Sequence, residues 1–284
     1  ISTQLSKVAA AANSYQTAPQ RAFAAALLER MPIADARVFL CSTGTESTEA
    51  AIKLAVKATG RDIILSFERA FHGRSLGALA LTANPAYRQP YVRCLEEDGA
   101  ADAFAQMKVA RVPFGDLEAA RELCERYRGR IAAVFLEPIQ GEAGIFPATK
   151  EFLLGLRALC DSHGALLGID EIQSGCGRTG HFTAWETIVG DAAEPDIIWM
   201  AKALGGGSLD DPCRGDGARP SGIEHALCAD RCHRRSGADA DVGAVRLRHE
   251  LPRRHYTFRR SCHAACMDWL QSVAHPTSVN FLND

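Results

Sequence analysis

Aromatic residues are scarce in this 284-residue chain, at 7%, and its net charge is only −2. Without a basic excess, electrostatics alone gives it no affinity for nucleic acid or an anionic membrane. No apolar run approaches the roughly 18 residues of a membrane span, and no basic-then-apolar signal pattern opens the chain. Both absences point to the cytoplasm. The ten cysteines form no CxxC pair, and Cys41, Cys94, Cys124, Cys160 and Cys176 lie inside apolar or helical stretches. That argues against a disulfide framework and against a metal site, and for buried reduced thiols. A dinucleotide-binding loop is disfavoured too, since no G-x-G-x-x-G is present.

What the chain does have, through residues 1–207, is a regular alternation of apolar strand and amphipathic helix. The pattern predicts a helix over Ala18–Met31, a strand over Arg37–Cys41 and a helix over Glu46–Thr59 that ends on Gly60. Further strands are expected at Asp62–Phe67, Ile131–Leu136, Ala165–Ile169 and Asp196–Ala201. Helices are expected at Leu117–Tyr127 after Asp116 and at Lys150–Ser162 after Thr149, and the stretch between Phe67 and Asp116 reads as irregular. This is an α/β pattern with a mainly parallel sheet. Ligands on such sheets sit beyond the carboxyl ends of the strands, where Thr43, Glu137, Asp170 and Lys202 fall.

Two segments carry the chemistry. Gly168-Ile-Asp-Glu-Ile-Gln173 reads as a buried strand ending on a carboxylate and then an amide, and Trp199-Met-Ala-Lys-Ala-Leu-Gly-Gly-Gly207 as a strand ending on a lysine held by glycines. An amine able to form a Schiff base, with a carboxylate from a neighbouring strand end, is the minimum equipment for holding pyridoxal 5'-phosphate. Lys202 would condense with the aldehyde, Asp170 would keep the pyridine nitrogen protonated, and Gln173 would donate to the phenolic oxygen. The blander reading of Lys202 is a snorkelling lysine at a helix start. Thr43-Gly44-Thr45 follows a strand and opens a helix, which suits a phosphate, although capping alone accounts for such a motif. In Phe71-His-Gly-Arg74 the ring suits stacking on a flat cofactor, and the guanidinium is a fork for a carboxylate; a core Phe and a surface Arg are the alternative. Glu137 and Glu142 read as loop charge, though Glu137 directly after Val-Phe-Leu would be costly if unpaired.

With these residues in place, the chain resembles class III aminotransferases of the acetylornithine/ornithine type, fold type I of the pyridoxal-phosphate enzymes. The resemblance runs through Ser42-Thr-Gly-Thr-Glu-Ser-Thr-Glu49, Phe71-His-Gly-Arg74, Glu137-Pro-Ile-Gln-Gly-Glu-Ala-Gly144, Asp170-Glu-Ile-Gln173 with Gly177-Arg-Thr-Gly180, and Ala201-Lys-Ala-Leu-Gly-Gly-Gly207. It implies a three-layer α/β/α large domain, the phosphate on Thr43, Gly44 and Thr45, and the ring beside Phe71 and His72. Asp170 would pair with the ring nitrogen, Gln173 would meet the ring oxygen, and Lys202 would attach the cofactor. Arg74 would hold the substrate α-carboxylate, with Glu142 near the far end of the pocket and Glu137 as a partner of the site. The implied reaction is ping-pong transamination by a homodimer, from an ω-amino donor such as N-acetylornithine or ornithine to 2-oxoglutarate. The 4-aminobutyrate aminotransferases and glutamate-1-semialdehyde aminomutases share many of these residues.

The resemblance also implies missing segments at both ends, since the chain opens on Ile1 and the family pattern stops after Gly207. The expected organisation is an N-terminal helical segment (1–34), a cofactor-binding large domain (35–207) and an irregular C-terminal tail (208–284). The tail holds eleven arginines and no lysine, six of the nine histidines and five of the ten cysteines. It reads either as a metal- or RNA-binding appendage or as translation in a shifted frame. The shifted frame is favoured, because the Cys and His spacings match no zinc template. An inactive truncated fragment is then the alternative to a working transaminase.

Overall fold

Strands with no polar residue to face water are stable only where helices cover both faces of their sheet. The computed structural model, which describes residues 2–7, 15–96, 108–205 and 243–247, has this arrangement. In chain order, helices α1 (Ser2–Leu5) and α2 (Ala18–Leu28) precede strand β1 (Arg37–Cys41), helix α3 (Gly44–Thr59) and strand β2 (Ile63–Phe67). Next come α4 (Leu76–Leu81), α5 (Pro85–Glu96), β3 (Lys108–Val112), α6 (Leu117–Arg126) and β4 (Ile131–Leu136). A small hairpin of β5 (Ile139–Gln140) and β6 (Phe146–Pro147) leads to α7 (Lys150–His163), β7 (Leu166–Asp170), α8 (Ala184–Ile188), β8 (Ile197–Met200) and β9 (Gly243–Leu247).

The main sheet runs β1-β9-β8-β7-β4-β2-β3. The pairs from β8 to β3 are all parallel, and β9 is antiparallel to both β1 and β8. Alternate residues of each strand enter two cores. On one face Ile63, Leu65, Phe67, Val134 and Leu136 meet residues of α6 and α7. On the other, Ile64, Ala133, Phe135 and Trp199 meet Ala51, Leu54 and Ala55 of α3. Gly168 lets the second core close: a Cβ there would lie 2.5 Å from Phe135 and 2.9 Å from Trp199.

Helix boundaries follow their caps. Thr43, Asp116 and Thr149 each accept a first-turn N–H, and Gly60 and Gly164 close their helices with left-handed backbone at φ 67° and 61°. Helix α2 stops three residues short of the expected end. The stretch expected to be irregular contains α4, α5 and the edge strand β3. Strand β9 falls within the expected tail, where the sequence pattern gives no reason for one. The tail's Arg231–Arg235, Pro252–His255 and Arg259–His263 clusters lie outside the described residues. Cys124 and Cys160 are buried free thiols, while Cys41 and Cys176 are partly exposed.

Two buried ionic groups tie helices to the sheet. Arg157 of α7 reaches Asp196, just before β8, at 2.6 Å, and the same carboxylate accepts the Leu167 N–H at 2.7 Å. Glu171, fully buried just after β7, accepts from Ser174 Oγ at 2.5 Å and from the Trp185 N–H of α8 at 2.8 Å. Burial pushes its carboxyl up to about 7, against the opposing hydrogen bonds. A carboxyl whose folded pKa exceeds its unfolded value binds more protons when folded. Its contribution is therefore full below the unfolded pKa and is lost as pH rises through about 7. Glu171→Gln is expected to flatten the fall in stability between pH 4.5 and about 7, measured by denaturant unfolding; an unchanged slope would contradict this assignment.

Candidate active site

The strands β1, β2, β4, β7 and β8 all end on one side of the sheet, and every candidate residue lies at such an end or on the loop that follows it. The N-terminus of α3 is the first component. Thr43 is its extended N-cap; its hydroxyl accepts the Glu46 N–H at 3.2 Å, and Glu46 accepts the N–H groups of Ser42 and Thr43 at 2.6 and 3.1 Å. The N–H groups of Gly44 and Thr45 belong to the first turn, which has no intrahelical acceptor for them. Gly44 and Thr45 are thus helical, and the helix expected from Glu46 begins two residues earlier. A Cβ at Gly44 would lie 3.0 Å from Ile172 and 3.2 Å from Ala201. The helix therefore starts against both the turn after Asp170 and the residue before Lys202. The Thr45 hydroxyl is directed to Ser75 Oγ, 2.8 Å away, so what Thr45 offers a phosphate is its backbone.

Asp170 ends β7 at 3% exposure. Its Oδ2 lies 2.7 Å from His72 Nδ1, and its Oδ1 accepts the Ile172 N–H at 3.0 Å. Burial disfavours charge on the His72 ring. The hydrogen bond to Asp170 and its charge outweigh that cost, Glu137 adds to them, and the imidazole pKa is raised. The His72 backbone is fixed as well: its N–H donates to Thr82 Oγ1 at 3.0 Å, and Thr48 Oγ1 donates to its carbonyl at 2.8 Å. Its Nε2 is buried without a partner among the described residues. Glu137, beyond β4 and 5% exposed, accepts the Phe71 N–H at 2.9 Å. Burial pushes its carboxyl up to about 7, with His72 opposing.

Lys202 follows β8 as the first residue of a 3-10 turn, Lys202–Gly205. It is partly exposed and holds φ 48°, a left-handed conformation uncommon outside glycine. Asp170 pairs with Trp199 across β7 and β8, so the carboxylate and the amine stand at adjacent strand ends. Gln173 lies over Gly141, leaving no room there for a Cβ, which brings the Glu142 loop beside the Asp170 turn. Phe71 is half-buried and meets Tyr87 edge-on at 5.9 Å, and the exposed Arg74 guanidinium lies 5.0 Å from the same ring centre. Glu142 is exposed on the rim. The structure thus gathers Thr43, Gly44, Thr45, His72, Glu137, Asp170 and Lys202 closely, with Phe71, Arg74, Glu142 and Gln173 on the surrounding loops. Sequence reasoning missed Thr48 and Thr82: Thr82 signals itself only as a hydroxyl between Leu81 and Ala83, and Thr48 is hidden in the polar run from Thr45 to Glu49.

The family profile Aminotransferase class-III matches residues 1–213. The acetylornithine aminotransferase of Corynebacterium efficiens is 42% identical over 213 residues, covering 73% of this chain and 49% of that protein. The acetylornithine aminotransferase of Methanopyrus kandleri is 42% identical over 207 residues, with the same two coverages of 73% and 49%. A putrescine aminotransferase of Pectobacterium atrosepticum is 43% identical over 177 residues, 60% of this chain and 35% of that protein. The chain spans about half the length of the curated relatives it matches first. Among solved structures, the N-acetylornithine aminotransferase from Stenotrophomonas maltophilia superposes with a TM-score of 0.56 at 28% identity, over 93% of this chain and 55% of that one. The ornithine aminotransferase from Toxoplasma gondii gives a TM-score of 0.62 at 22% identity, again over 93% and 55%, a likeness of fold. Strand ends that bring an amine, a buried carboxylate and an open helix N-terminus together, and a family match over three quarters of the sequence, lead to one conclusion: the chain belongs to the class-III aminotransferases, a pyridoxal-phosphate-dependent family.

Proposed function

We propose that this chain moves an amino group from an ω-amino donor, N-acetylornithine or ornithine, to 2-oxoglutarate. The observation that carries the reading is the meeting of Asp170 and Lys202 at neighbouring strand ends, with the start of α3 set against both. The donor set suits pyridoxal 5'-phosphate: backbone N–H groups at a sixteen-residue helix start for the phosphate, a buried carboxylate for the ring nitrogen, an amine for the aldehyde. Bound there, the cofactor supplies an electron-withdrawing ring that stabilises negative charge at the carbon losing its proton.

In this reading Thr43, Gly44 and Thr45 hold the phosphate, Phe71 covers the ring, and Gln173 meets its oxygen. Asp170, oriented by His72, faces the ring nitrogen. Lys202 would be the covalent anchor for the cofactor's aldehyde, and its amine would be the base that holds the proton taken from the donor's carbon. Arg74 takes the donor's α-carboxylate as a bidentate fork, and Glu142 lies toward the donor's far end. The working unit is a cytoplasmic homodimer in which residues 35–207 bind the cofactor, 1–34 form a helical segment and 208–284 an atypical tail that lends β9 to the main sheet. The names of the two relatives at 42% identity support the choice of donor, and the putrescine aminotransferase sets the competing one.

The test is a donor panel on the chain loaded with pyridoxal 5'-phosphate, scoring glutamate formed from 2-oxoglutarate. N-acetylornithine or ornithine is expected to lead putrescine and 4-aminobutyrate. Putrescine leading would reassign the donor, and no glutamate from any of them would favour an inactive fragment. Asp170→Asn keeps the shape but loses the charge facing the ring. It is expected to retain cofactor and to slow transfer by about a hundred-fold or more; near-normal turnover would remove Asp170 from its role.

A further inference from the structure

Glu49 and Ser75 have no part in the assignments above, yet they sit at the centre of a side-chain network beside the site. Ser75 Oγ lies 2.5 Å from Glu49 Oε1 and 2.8 Å from Thr45 Oγ1, and the Ser75 N–H donates to Thr45 Oγ1 at 3.3 Å. The same Glu49 oxygen accepts the N–H groups of Gly77 and Ala78 at 2.9 and 3.0 Å. The carboxylate can only accept, so the single Ser75 hydroxyl hydrogen goes to Glu49 and Thr45 must donate to Ser75. Ser75 is the N-cap of α4 but makes no capping bond of its own. A carboxylate from α3 performs that task from outside and leaves the serine hydroxyl to bridge the two helices.

The backbone is shaped for this contact. Gly73, at φ 130°, passes over Thr45 where a Cβ would collide with its side chain, and Gly77 lies over the Glu49 carboxylate in the same way. Thr45 and Glu49 are one turn apart on the same face of α3. The segment clamped onto that face carries Phe71, His72 and Arg74 at its start, while the α3 turn beneath it offers the Gly44 and Thr45 N–H groups.

We infer that Ser75 and Glu49 are positioning residues that lock the loop carrying Phe71 and Arg74 onto the phosphate-binding end of α3, so that cofactor and donor contacts are built as one unit. The inference rests on the pyridoxal-phosphate reading above. It requires that loosening one hydroxyl weaken both ligands together, although Ser75 touches neither.

The test uses Ser75→Ala with three readouts. These are the dissociation constant of pyridoxal 5'-phosphate by tryptophan fluorescence, the KM for the donor, and amide hydrogen exchange of residues 42–50 and 70–82 without cofactor. The expected result is a rise of about ten-fold in both constants, the scale of one lost hydrogen bond. Both segments should exchange faster together, and Ser75→Thr, which keeps the hydroxyl, should restore all three readouts. A lowered melting temperature with both constants and both exchange rates unchanged would overturn the inference. A wild-type chain that binds no cofactor would sink the functional reading, and the exchange data would then decide the clamp alone: independent responses of the two segments would refute it. Should Ser75→Ala fail to fold, Ser75→Cys, which replaces the hydroxyl with a bulkier and weaker donor, carries the same test.

Discussion

A carboxylate at the end of a fully buried strand cannot stand alone: removing the partner of such a charge typically costs about 3–5 kcal/mol. Asp170 is in that position, and His72 at 2.7 Å meets the need. Most of the site's framework can be traced to holding His72 there. Thr48 from α3 and Thr82 from the end of α4 fix its backbone, and Glu137 beyond β4 fixes the preceding residue through the Phe71 N–H. One buried carboxylate–imidazole pair thus draws on four separate elements, α3, α4, β4 and β7. The same contacts set the loop that carries Phe71 and Arg74.

The arrangement works against stability in identifiable places. Glu137, Asp170 and Glu171 bring three buried carboxyl groups to the ends of two neighbouring strands, and burial raises two of them to about 7. Lys202 adds a left-handed backbone that a glycine would adopt more easily. The two apolar cores, with Phe135 tilted against Trp199 at 4.8 Å on one face and Phe67, Phe114 and Phe152 edge-to-face on the other, offset these costs. Strain and buried charge at the strand ends, with close packing beneath them, is the pattern expected where function competes with folding.

Legibility in the sequence followed burial. β1, β2, β4, β7 and β8 could be read because each is a run of apolar residues with a cap or turn nearby, and Asp170 and Lys202 stood out as polar residues closing such runs. β3, with Lys108 and Arg111 among five residues, hid because an edge strand need not be apolar. β9 hid because its neighbours in sequence carry no strand or turn signal of their own. The wiring of the site was least visible. That Thr45 would spend its hydroxyl on Ser75, that His72 would serve Asp170, and that Glu49 would cap a different helix are consequences of contacts 26 to 98 residues apart. Local pattern cannot encode such pairings; only the packed sheet brings them together.

The central claim is that the amine at the end of β8 is the covalent anchor. Borohydride reduction of the chain after incubation with pyridoxal 5'-phosphate, followed by peptide mapping, tests it most directly. The account predicts a stable pyridoxyl label confined to the peptide containing Lys202. A label spread over surface lysines, or none at all, would contradict it.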